Sequence, residues 1–163
     1  MIFRIRQDYL RSLVFGFQDA LVSTTGVVVG ISAAIHDPRI IVLSALVTVS
    51  VEALSMAAGQ YLSEKAVHEL PNSHHEDKLI TGSLFMFFSY IIGGFIPIIP
   101  IFFTIYPYSS ILSVVFAFIG LFVLVFLRAK LFTGKIWRSA IEMLFVGGLA
   151  TFVGLLVGSI FPK

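Results

Sequence analysis

The sequence predicts an all-α, polytopic membrane protein with five transmembrane helices, and three observations predict it. Hydrophobic residues make up 58% of the chain and charged residues 12%, with a mean hydropathy of +0.99, outside the range of soluble globular proteins. Five segments, 13–35, 40–62, 80–105, 111–127 and 141–161, are long and apolar enough to cross a bilayer. The connections between them are short and carry most of the Lys and Arg residues on alternate sides. A length of 163 residues leaves room for a single transmembrane domain, 1–163, and no separate soluble module. The absence of cysteine excludes disulfides, thiolate metal sites and iron–sulfur ligation.

The first segment begins at Leu13 and is too long for a secretory signal core. It also carries a charge, Asp19, and lacks a small-residue cleavage site, so it is expected to remain in the mature protein. The second carries Glu52, Met56 and Gln60, with Glu64 just beyond it. The third holds Gly93, Gly94, Pro97 and Pro100, which predict a kink and irregular backbone, or simply a bent packing helix. It offers shape rather than charge. The fourth, dominated by Phe, Val, Leu and Ile, reads as the most lipid-exposed. The fifth presents Ala150, Gly154 and Gly158 as a small-residue packing face. Nine of the eleven Lys and Arg residues lie at the N-terminus, after the second segment and after the fourth; only Arg39 and Lys163 lie on the other side. Positive charge stays in the cytosol, which places the N-terminus inside and the C-terminus outside.

Orientation converts sequence position to depth. Asp19 is six residues past Leu13, roughly 9 Å into the membrane, and Met56 is six residues from the cytosolic end of its span, at the same level. Glu52 is ten residues in, roughly 15 Å, near the bilayer centre. Gln60 and Glu64 lie closer to the cytosol, and Glu142, just inside the start of the fifth span, is at a similar height. Glu52, Met56, Gln60 and Glu64 recur every four residues and share one helix face; Asp19, Ser23, Gly26 and Gly30 share another. Together the stripes predict a polar cavity open to the cytosol. A carboxylate at the centre of an isolated span costs about 2.5–3.5 kcal/mol on insertion scales, and no basic residue lies within a span to pair with one. A proton or a metal ion is left as the compensating charge. Packing is the default reading of Met56 by spacing alone; beside two acids its thioether suits iron(II) or manganese(II) better than magnesium or calcium. Asp19, Glu52 and Met56 are therefore the candidate metal ligands, with Gln18, Ser23, Gln60, Glu64 and Glu142 as supporting or access residues.

Four patches, "DALVSTTGVVVGISAA", "ALSMAAGQYLSEKA", "GGFIPIIP" and "RSAIEMLFVGGLATFVGLLVG", in this order on five helices resemble the vacuolar iron transporter family from about Ser12 to Phe161. The resemblance implies export of iron(II) or manganese(II) from the cytosol in exchange for protons. It also implies a homodimer of ten helices with the path near its interface, and roles in metal transfer for Asp19 and Met56. Ala20 stands where the family pattern often has glycine, and Gln60 where it has a second-helix glutamate. Glu52, two turns deeper on the same stripe, supplies a carboxylate instead. Eukaryotic members carry an acid-rich cytosolic domain after the second helix. The loop here, "AVHELPNSHHEDK", is too short for it, which marks a short form of the family. Its His68, Glu69, His74, His75, Glu76 and Asp77 suit a weak capture site for divalent ions or a solvated turn. "HELPN" is no metalloprotease motif, because Asn72 stands where the second His is required.

No nucleophile–base pair or cofactor fingerprint marks an enzyme. The expected partners are divalent metal ions, lipid and a second copy of the chain, with no nucleic acid and no bound cofactor. The expected location is a prokaryotic inner membrane. A structural or regulatory membrane subunit and a passive cation channel remain the alternative readings.

Overall fold

A computed structural model of the chain describes residues 7–70, 79–131 and 136–161. They form α1 (Gln7–Ala34), α2 (Pro38–His68), α3 (Leu79–Phe103), α4 (Tyr108–Leu131) and α5 (Ile136–Ile160). All five are long and apolar enough to span a membrane. Successive helices run antiparallel, so α1, α3 and α5 point one way. The end where α1 and α5 begin and α2 and α4 finish carries Arg11, Lys65, Arg128 and Arg138 and is termed the basic end.

The helices overrun the apolar segments that predict them. The 31 residues of α2 rise roughly 46 Å, against a hydrocarbon core of about 30 Å. The excess is the polar turn from Ser63 to His68, where Lys65 and His68 sit against the negative end of the helix dipole. The start of α2 is fixed by its cap. The Asp37 carboxylate accepts the Arg39 N–H at 2.9 Å, and Pro38 occupies the first helical position, where its missing N–H costs nothing.

Of the two readings of the third segment, irregular backbone does not occur, since α3 continues as one helix through Pro97 and Pro100. The carbonyls of Gly93 and Ile96 lose their usual donors there, because proline has no N–H. Gly93 answers to approach rather than bending: a Cβ at this position would stand 2.8 Å from the Phe17 carbonyl oxygen. Only glycine lets α3 lie this close to α1.

The helix that organises the bundle is α1, which touches each of the other four. Against α2 and α3 it contributes Ala20 and Val28 to a buried cluster with Ile41, Ala45, Val49 and Ala53, every fourth residue of α2, and Tyr90, Ile98 and Ile101 of α3. Against α4 it places Leu21 between Ala117 and Leu121. Toward α5 the contact is backbone on backbone, because Gly26 and Gly30 face Ala150, Gly154 and Gly158 so tightly that a Cβ on Gly158 would overlap the Gly30 carbonyl. The small-residue face of the fifth helix thus has a defined partner. Helices in lipid gain little from hydrophobic burial against one another, and such close backbone approach supplies the dispersion that holds them. The fourth helix is not the most exposed, as the sequence suggested; α5 and α2 bury smaller shares of their spanning residues than α4 does.

Candidate functional site

Three helices bring hydroxyls and a carboxylate together in the bundle interior. The Ser23 hydroxyl on α1 donates to Glu52 Oε2 on α2 at 3.0 Å. The fully buried Tyr90 on α3 donates its hydroxyl to the same oxygen, and the two hydroxyl oxygens stand 2.6 Å apart. Asp19 is half-buried one turn from Ser23 toward the basic end, on the same face of α1. Asp19 and Glu52 are thus both half-buried carboxyl groups within the spans, where like charges repel more strongly than in water.

The local sequence explains each placement. Ser23 and Asp19 are four residues apart on α1 and so share a face. Ala20 and Ala53 are small, and their burial beside Tyr90 leaves room for the phenol to reach across from α3. On α2, Met56 lies one turn from Glu52 and packs half-buried against the same cluster. Gln18 is half-buried beside Asp19. Among the described residues, no three His, Asp or Glu side chains gather closely enough to enclose an ion. Any cation held here would be completed by hydroxyl, thioether, backbone or water ligands.

The remaining candidates form separate groups. The Gln60 amide donates to Glu64 Oε1, three turns from Glu52 toward the basic end. Glu64 Oε2 is sealed from solvent without a hydrogen-bond partner among the described residues, and the carboxylate rests on Gly82, where a Cβ would stand 3.2 Å from Oε1. Glu142 lies on the surface of α5. It is exposed and paired with Arg138 one turn away at 3.0 Å, a surface contact worth about 0.3–0.5 kcal/mol. At the end of α2, His68 Nδ1 lies 2.9 Å from the Glu64 carbonyl, and the capping residue Glu69 lies 3.9 Å from Lys65; His74, His75, Glu76 and Asp77 of the loop fall outside the described residues. Tyr90 is the residue that sequence reasoning passed over. Its signal was a phenol amid the apolar run of α3, at a depth where a hydroxyl must find a partner.

Five helices long and apolar enough to span a membrane, with half-buried carboxyl groups that pair with no Lys or Arg among the described residues, define a polytopic membrane protein with polar groups inside its bundle. A VIT family profile matches residues 10–80 and 67–159, and the chain belongs to this family of transporters. It is 29% identical over 157 residues to "Vacuolar iron transporter homolog 2" of Arabidopsis thaliana, spanning 89% of this chain and 80% of the relative. Homologs 4 and 1 from the same plant are 35% and 32% identical over 65 residues, spanning 40% of this chain and 33% and 32% of their own lengths.

Proposed function

We propose that the protein exports a divalent transition metal, iron(II) or manganese(II), from the cytosol by exchange with protons, with the basic end of the bundle in the cytosol of a prokaryotic cell. Asp19 and Glu52 carry the ion with Met56 as a soft third ligand, and Gln60 and Glu64 line the way in from the basic end. The observation that carries this reading is that Asp19 and Glu52 are half-buried within the spans and that neither pairs with a Lys or Arg among the described residues, because such groups stay in a membrane only by holding a cation or protons. Family membership supports metal transport, and the names of the plant relatives point to iron. A homodimer supplies the second half of the path, since α2 leaves Val51, Leu54 and Leu62 uncovered in the single chain.

The test is uptake of iron(II) and manganese(II) into proteoliposomes with internal pH followed alongside. Metal flux driven by a proton gradient supports exchange, whereas flux indifferent to that gradient means a channel. A structural role for Glu52 makes a different forecast: Glu52→Gln, which keeps an acceptor for Ser23 and Tyr90, would then transport normally.

A further inference from the structure

The Ser23 and Tyr90 hydroxyls both reach one oxygen of Glu52, Oε2, and each other, while Oε1 takes no hydrogen bond from any described residue. A carboxylate engaged from two sides at one oxygen has only the other to offer a cation. We propose that Ser23 and Tyr90 are positioning residues that hold Glu52 as a one-oxygen ligand and thereby set the preference of the site for small transition ions over calcium. This rests on Glu52 contacting the transported metal, as proposed above. Calcium fills six to eight oxygen positions at about 2.3–2.6 Å, often with carboxylates bound through both oxygens. Smaller divalent ions bind nearer 2.0–2.2 Å and are satisfied by fewer donors. Denying the site a second Glu52 oxygen therefore penalises calcium most.

The clamp is built to stay in place. Tyr90 is fully buried among Ala20, Ala53 and Ile98, and a phenol has only two torsions to fix. The height of Tyr90 against α1 is set one turn away by Gly93 on the Phe17 backbone. Ser23 reaches Oε2 from α1, so two helices grip a carboxylate belonging to a third. Such supporting hydrogen bonds commonly alter metal affinity by about 10–100-fold when removed.

The experiment measures manganese(II) and calcium affinities of the purified full chain by calorimetry, together with competition of calcium against manganese(II) uptake in proteoliposomes. Tyr90→Phe keeps the ring and removes one donor; calcium affinity relative to manganese(II) is expected to rise by about tenfold. Ser23→Ala, an independent variant should the first fold poorly, shifts the ratio the same way, and Ser23→Thr, which keeps the hydroxyl, restores it. Equal weakening of both ions, or an unmoved ratio in both Tyr90→Phe and Ser23→Ala, assigns these residues to packing and overturns the inference. Glu52→Gln separates this failure from that of the transport reading. If Glu52→Gln loses manganese(II) while the ratio in Tyr90→Phe stays put, only the positioning role falls. If Glu52→Gln binds manganese(II) as the wild type does, Glu52 is not a ligand and both fall.

Discussion

The roles proposed for Met56, Asp19 and Glu52 differ, and single substitutions separate them. Leucine matches methionine in volume and apolarity, so Met56→Leu is expected to fold normally yet lose transport, iron(II) more than manganese(II) because iron(II) gains more from a soft ligand. Equal uptake of both ions by wild type and variant, at matched expression, would return Met56 to packing. Asp19→Asn and Glu52→Gln remove charge with little change of shape, and each is expected to abolish pH-dependent uptake; normal transport by both would end the exchange mechanism. Thr24 offers a stability test close by. Its hydroxyl is fully buried without a hydrogen-bond partner among the described residues, an arrangement that costs about 1–3 kcal/mol. Thr24→Val, equal in shape, should raise the thermal midpoint in detergent while leaving metal uptake intact. The carboxylates were legible in the sequence because a charge inside an apolar run has no other neighbour like it. Tyr90 was not, because one hydroxyl among Phe and Ile leaves the hydropathy of α3 almost unchanged. What gives it meaning is the partner across the bundle.

Helix pairs show which small residues matter. Gly154→Ala and Gly158→Ala drive a methyl into the backbone of α1 and are expected to cost about 1–3 kcal/mol each as overpacking, read as a lower melting temperature or loss of the monodisperse peak in detergent. Gly148→Ala is the control, since a Cβ at this position meets nothing within 4 Å. The five helices were legible from apolar length alone, because a bilayer demands long uninterrupted segments. Their true ends were not, since Gln7 to Ser12 and Ser63 to His68 extend α1 and α2 as polar turns that no hydropathy window includes. The stripe joining Asp19 and Ser23 to Gly26 and Gly30 was also read as one surface. It meets α2 and α3 at Ser23 and α5 at Gly26 and Gly30, because helices cross at angles and a face changes neighbours along its length.

At the level of the whole molecule, the least covered faces belong to α2 and α5. On α2 the exposed run includes Ser55, Ala58 and Gly59, small residues of the kind that let two helices approach in lipid. A second copy seated there would place Met56 and Glu52 beside the interface. Gly59→Trp is therefore expected to convert a dimer to monomers in cross-linking of native membranes while leaving the monomer folded; a dimer that survives it uses another face. The central position of α1 also bears on how the chain is made. This helix precedes its partners in the bundle, so its carboxylate enters the translocon before Glu52 or Tyr90 exist. The backbone contact with α5 forms only after the rest of the bundle has been synthesised. Its glycines thus act as a final latch, and a nascent chain halted before Gly154 would leave α1 with an open side for membrane quality control to recognise.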